Sequence, residues 1–432
     1  MNKFEVKINE FGEETYITTL KNGLKVYICK KPGFERKLGM FGTKYGSLIN
    51  EFVDIKTGEK LKVPDGIAHF LEHKLFEQEG ANALDLFSKI GVSSNAYTSF
   101  DQTVYYFETI EKFEESIKLL IQLIKTPYFT DENVEKEQGI IGQEISMYDD
   151  EPNYAVYFNA LKGMYNTHPV KVDIAGTIES ISHITKDLLY ICYNTFYSAQ
   201  NMFFLVIGDV DVEKTVALIE ENIKIYEKDF DSKKEIKKIE TYIPHEETKI
   251  NQKNVTRNMD IYMPMICMGY KLDVVKNDEI IKRQLLADIV SELYFSRSSD
   301  FFEEEYKKGI INDPVEFELE ATKEFSHALL IASSEKIDVL KDDILKYIEN
   351  IKLNRIDHSK FELIKKKMIG SQIALIDNYN YTYRKIIDSI VNETNLYGET
   401  KILKEINEND IKEFLKLFTL DNLTISTIYP NN

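Results

Sequence analysis

The chain has 432 residues, 43% apolar and 29% charged, enough for two to three domains with large cores. A net charge of −18, from 54 basic and 72 acidic groups, argues against a nucleic-acid binder and against docking on an anionic membrane. No run of about 18 apolar residues could span a bilayer, and the start MNKFEVKINEFGEETY holds no apolar signal core. Cys29, Cys192 and Cys267 are far apart and odd in number, so they read as buried thiols. Together these features predict a cytoplasmic protein.

TYITTL, LKVYICK and MFGTKYGS read as short strands, with Asn22-Gly23 as a hairpin signal between the first two. Helical patterning starts at Asp65, an N-cap residue type, and Ile67, Leu71 and Leu75 follow at i, i+4 and i+8. SNAYTSFDQTVYYFET alternates like a strand pair. FEESIKLLIQLIKTPYF is a helix that ends before Pro127. ENVEKEQGIIGQEISMYDDEP is a further helix, and QNMFFLVIGDVD a buried strand and turn. The charged, weakly periodic stretch 228–255 is the linker candidate, part of it able to form an edge strand.

The second half repeats the first. DLFSKIGV, FDQTVYYFET, KLLIQLI and ENVEKEQGIIGQEI are answered in order by DFFEEEYKKGII, VEFELEAT, LKDDILKYIENI and SKFELIKKKMIGSQI. Gly91 matches Gly309, an offset of 218, and Gly142 matches Gly370, an offset of 228. This predicts an N-terminal domain over 1–227, a linker over 228–255 and a homologous C-terminal domain over 256–432. At these offsets His69 and His73 face Ala287 and Ser291, and Glu144 faces Gln372. The second half therefore keeps the architecture and lacks the polar residues.

Those polar residues carry the chemistry. In AHFLEHKLFE, His69, Glu72 and His73 share a helix face of roughly 100°. Two imidazoles one turn apart can grip a metal, and a carboxylate beside them can activate a water. A hydrolytic zinc site needs a third protein ligand. The helix ENVEKEQGIIGQEI offers Glu132, Glu135, Glu137 and Glu144. Glu137 and Glu144 lie two turns apart on one face, so one could ligate while the other steadies an imidazole. His168, His183, His245, His327 and His358 read as structural or solvated.

HFLEH is the inverted zinc signature of the inverzincins. With SSNAYTSFDQTVYYFE, EKEQGIIGQEISMYDDEP, HPVKVDIAGTIESI and YSAQNMFFLVIGDVD, the chain resembles the pitrilysin/insulinase family of zinc metallopeptidases over nearly its full length. It looks closest to the half-size bacterial subunits. The resemblance implies an α+β fold of two homologous domains, each a mainly antiparallel sheet with helices packed on it. It implies one Zn2+ per chain held by His69, His73 and Glu144, with Glu137 the supporting carboxylate and Glu72 the general base. It also implies that Ser94, Asn95, Ala96 and Tyr97 form an open edge to which an extended peptide substrate adds as a strand.

One segment departs from the family. Full-length members hold the substrate carbonyl with an Arg and a Tyr from the second half, whereas FFEEEYKKGIIND places Glu303 and Ile310 there. This points to a zinc endopeptidase for short or unfolded peptides that works with a homologous partner subunit, as an unlike pair or a homodimer. The other readings are a non-catalytic scaffold of the same fold and a metal-storage module. The intact zinc motif disfavours the scaffold.

Overall fold

The computed structural model describes residues 3–227, 230 and 238–431. The chain divides into two compact units, one formed by Met1–Ile145 with Val172–Ile243, the other by Ser146–Lys171 with Pro244–Asn432. Each has its own apolar core. All three cysteines are buried and free.

The first unit is built on a seven-stranded sheet. Its strands are β1 (Glu5–Ile8), β2 (Glu14–Thr19), β3 (Lys25–Lys30), β4 (Lys37–Thr43), β5 (Ser93–Thr98), β6 (Thr103–Thr109) and β7 (Met202–Gly208). The spatial order is β1-β2-β3-β7-β4-β6-β5. Only β3 and β7 pair in parallel; the other pairs are antiparallel. β7 is buried at every residue, which is why MFFLVIG reads as an unbroken apolar run. The strand expected in MFGTKYGS begins earlier and stops at Thr43. There the chain leaves the sheet, because the buried Tyr45 ring stacks on Phe196 with centroids 3.9 Å apart.

Three helices of this part of the chain matter for the site: α1 (Ile67–Leu75), α2 (Phe113–Lys125) and α3 (Asp131–Asp149). α2 packs on β4 and β6 through Ile117, Leu120, Ile121 and Ile124. Each such side chain contributes about 1.5–3 kcal/mol when fully buried. α1 packs on β5 and β6. Asp65 does not cap α1 as expected. Asn50 donates to its carboxylate at 2.6 Å, and Gly66 occupies the N-cap in a left-handed conformation with φ 88°.

The second unit contains β8 (Asn254–Met259), β9 (Met265–Lys271), β10 (Glu316–Ala321), β11 (Ser326–Ser333) and β12 (Leu423–Pro430), in the order β8-β12-β9-β11-β10. This reproduces β3-β7-β4-β6-β5, including the one parallel pair, β8 with β12. The repeat extends to single hydrogen bonds. Val92 N–H donates to the Phe87 carbonyl and Ile310 N–H to the Glu305 carbonyl, each atom displaced by 218 residues. Gly91 and Gly309 between them both have positive φ, 74° and 65°.

Two boundaries are corrected. The helix α4 (Pro152–Met164) was expected in a first domain over 1–227, yet it packs on β8, β9 and β12 of the second unit. Its buried residues, including Val156, Ala160 and Leu161, serve the other sheet, and an apolar stripe does not say which sheet it will cover. The division then falls at Ile243, not at a linker over 228–255. Of that stretch, 228, 229 and 231–237 lie outside the described residues. The described remainder is pinned. Val53 N–H donates to the Glu240 carbonyl at 3.0 Å and Tyr242 N–H to the Glu51 carbonyl at 2.8 Å. In the second unit Glu246 accepts the N–H groups of Asn166, Thr167 and His168 at 2.8, 2.8 and 2.7 Å.

Gly66 generates a prediction about α1. A Cβ there would lie 2.3 Å from the Ala175 carbonyl oxygen, on a backbone conformation that L side chains rarely adopt. Gly66→Ala is expected to cost about 1–3 kcal/mol from overpacking and strain. Calorimetry would show a fall in Tm of several degrees, and an unchanged Tm would contradict this account of the helix start.

Candidate metal centre

α1 and α3 bring three donors together. His69 Nε2 lies 3.8 Å from Glu144 Oε1, and His73 Nε2 lies 3.7 Å from Glu144 Oε2. The two rings are tilted, with centroids 4.5 Å apart. Among the described residues these three form the one group of metal-binding type, with donor atoms all within 4.8 Å of one another. Tetrahedral zinc at about 2.0–2.2 Å from N and O ligands sets neighbouring ligands about 3.3–3.6 Å apart. The observed separations fit such an ion with little adjustment.

The protonation states fit as well. Burial, with His73 alongside, lowers the His69 pKa to about 3, so His69 keeps its lone pair at any ordinary pH. Burial alone would also lower His73. The hydrogen bond that His73 Nδ1–H donates to Glu137 Oε1, at 3.1 Å, and the charges of Glu72, Glu137 and Glu144 outweigh it and raise the value. Glu137 is held below its ordinary range. Burial pushes it up, but His73 and Lys74 pull it down further. Glu72 is raised, chiefly by burial, against the pull of the Thr98 hydroxyl and His73.

Glu144 therefore stands where a third ligand belongs. Glu137 touches an imidazole and the Lys74 amine and takes no place among the donors. Glu132 and Glu135 are exposed at the start of α3. The other histidines stay outside the group. His168 and His327 are buried in the second unit, and His358 pairs with Glu408 at 2.8 Å on the surface.

Ser94, Asn95, Ala96 and Tyr97 lie on β5, the last strand of the sheet. Its inner side pairs with β6, Ala96 opposite Tyr105. Among the described residues no strand covers its outer side. The Ala96 N–H donates to the Asn95 side chain at 2.9 Å, a bond an incoming backbone carbonyl could replace.

Two residues escaped the sequence reading. The Thr98 hydroxyl, at the end of β5, donates to Glu72 Oε2 at 2.7 Å. Lys74 is wholly buried beside Glu137. For Thr98 no local signal existed, since a Thr in a strand is ordinary. For Lys74 the signal was present: a lysine on the apolar side of an amphipathic helix.

In the second unit, Gln372 stands where the repeat places Glu144. It donates to Glu399 at 2.9 Å and accepts from Thr400 at 2.8 Å. Ala287 is buried. The polar site is replaced by a satisfied hydrogen-bond cluster.

The two imidazoles should titrate differently in the chelator-treated chain. His73 takes its proton above pH 6.5, because its folded value is raised, and His69 stays neutral down to about pH 3. Glu137→Gln removes the largest raising influence and moves the His73 midpoint down. Ring-15N NMR titration of the histidines reads both, and a common midpoint would contradict the assigned environments.

The profile of the insulinase family, peptidase family M16, matches residues 51–178, and that of the peptidase M16 inactive domain matches 183–368. The uncharacterized zinc protease YmfH of Bacillus subtilis (strain 168) is 36% identical over 433 residues, covering 99% of both chains. An M16-like peptidase from Alicyclobacillus acidocaldarius aligns with a TM-score of 0.89 at 29% identity, over 97% of this chain and 99% of that one. Pitrilysin, at 16% identity, shares the fold with a TM-score of 0.76, over 100% of this chain and 47% of its own. The two halves share one architecture, among the described residues the His69, His73 and Glu144 group lies in the first, and the relatives match over nearly the full length: the chain belongs to the insulinase family of peptidases, family M16.

Proposed function

We propose that this chain is a zinc-dependent endopeptidase subunit acting on short or unfolded peptides. The observation that carries the reading is the convergence of His69, His73 and Glu144, with Glu72 on the same helix and an uncovered sheet edge next to it. Zinc, when bound, lowers the pKa of a water toward neutrality and polarises the scissile carbonyl.

The protein's own groups do the rest. An extended peptide pairs with β5 through its backbone, which tolerates many side chains and excludes folded substrates. Thr98 holds one oxygen of Glu72 and leaves Oε1 to take a proton from water and return it to the leaving amine. Burial gives Glu72 a basicity above that of an ordinary carboxylate, which suits a base working near neutral pH. Glu137 orients His73 from behind.

The metal-storage and scaffold readings lack a use for Glu72, which has no place among the donors. Glu72→Gln is expected to retain zinc and to lose peptide cleavage by a factor of about 10^2–10^4. Glu144→Gln should lose both. Mass spectrometry of a peptide mixture, alongside metal analysis, measures the two. Cleavage that survives Glu72→Gln would reject the peptidase reading.

A partner subunit belongs to the same proposal. Glu303 is exposed and paired with Lys307, and Ile310 is buried in the core of the second unit. Neither can hold a substrate carbonyl. A second copy of this chain would bring the same two residues, so an unlike homologue that carries the Arg and Tyr fits better than a homodimer. Adding such a homologue is expected to raise kcat/KM by about 10^2–10^3, the usual worth of a donor to the developing oxyanion. Full activity of the purified chain alone would overturn the partner.

A further inference from the structure

The metal-site helix carries a charge that no ligand role explains. Lys74 follows His73 directly and is 0% exposed. Burying an ammonium is costly unless it is paired and hydrogen-bonded, and helix packing alone would be served by Leu or Met. Lys74 Nζ donates to Glu137 Oε2 at 3.4 Å and to the Glu77 carboxylate. The other oxygen of Glu137, Oε1, faces His73 Nδ1 at 3.1 Å. Glu137 is thus gripped at both oxygens by neighbouring residues of α1. That fixes the plane of the carboxylate and, through it, the rotation of the His73 ring.

Two contrasts single this arrangement out. His69 has no such support: among the described residues its buried Nδ1 finds no hydrogen-bond partner. At the position the repeat assigns to Lys74, the second unit has Glu292, which reaches Lys367 on the helix His358–Leu375 at 2.7 Å. That bridge has the opposite polarity, and its side chains are 57% and 31% exposed. An ion pair that only braces two helices needs neither burial nor the polarity found in the first unit.

We propose that Lys74 is a positioning residue for the metal centre: it holds Glu137 so that His73 keeps its proton on Nδ1 and presents Nε2 to zinc. The proposal rests on the zinc-peptidase reading above. Lys74 touches neither donor set nor substrate and acts only through Glu137.

Zinc affinity of the full chain, measured by competition with a chromophoric chelator, tests it. Lys74→Met and Glu137→Gln should each weaken zinc by about 10- to 100-fold. The double variant should be no weaker than Glu137→Gln alone, within about twofold, because both act on one bond. Glu77→Gln should stay within about twofold of the parent, since Lys74 then serves Glu137 alone. Losses that add in the double variant, or a Lys74→Met chain that binds zinc as the parent does, overturn the proposal. So does Glu77→Gln weakening zinc as much as Lys74→Met, which would make Lys74 an ordinary brace. A parent chain that binds no zinc would instead overturn the zinc reading itself. One measurement needs no variant: in the metal-free parent, at a pH where imidazoles are neutral, ring-15N shifts should show His73 in the Nδ1–H tautomer. A mixture of tautomers there overturns the proposal even where Lys74→Met does not fold.

Discussion

Three donor atoms from two helices have to arrive within 4.8 Å of one another, and nothing local in either helix can enforce that. The constraint is met by the cores beneath. α1 is set by its packing on β5 and β6 and by a start that only a glycine can make. α3 reaches back to α1 across 64 residues of sequence, from Glu137 to His73. The Glu137–His73 and Glu137–Lys74 hydrogen bonds link the two helices directly at the site. The separation of Glu144 from both imidazoles is thus inherited from the docking of α3 as a whole, which is why Glu137, two turns earlier on the same helix face, matters as much as Glu144 itself.

Much of this was legible in the sequence because it is local. His69, Glu72 and His73 share a face by helix periodicity alone. The strand pair, the Asn22-Gly23 turn and the end of α2 before Pro127 follow from alternation and backbone chemistry. The repeat was legible for another reason: two halves folding alike keep the same glycine where φ must be positive. The choice of Glu144 among four acidic residues was not local. It needed the family pattern, and the geometry then set Glu144 beside the imidazoles and Glu137 behind one of them.

What stayed hidden depended on partners far away in sequence. Asp65 looked like a cap, but Asn50 claims its carboxylate, and a cap signal says nothing about competitors. The helix Pro152–Met164 looked like part of the first domain because it precedes β7 in the chain. An apolar face alone does not say which sheet it will cover, and the fold uses it on the second. The stretch 228–255 reads as a linker because it is charged and weakly periodic. Its polarity is instead used by backbone groups, as where Glu246 closes the turn at Asn166–His168.

The two halves show what the His-His-Glu group requires beyond a fold. Both units have the same sheet order, the same parallel pair and the same turn at Gly91 and Gly309. In the second, the matching helix positions hold a small residue, a serine and an amide whose hydrogen bonds are already made. The first unit instead packs a partly buried histidine, a buried carboxylate of raised basicity and a wholly buried lysine into the six residues from His69 to Lys74. Burying polar and charged groups without partners is destabilising, and a fold that repeats without them is evidently feasible. Apart from His69, whose Nδ1 has no partner among the described residues, the cost is met in the first unit by arranging the groups as mutual partners: Thr98 on Glu72, Glu137 on His73, Lys74 on Glu137. The same bonds set the direction of each side chain. Thr98 adds the last link, because it belongs to the strand on which a peptide would lie. Glu72 is therefore held by the open edge strand itself, so that whatever orders β5 also orders Glu72.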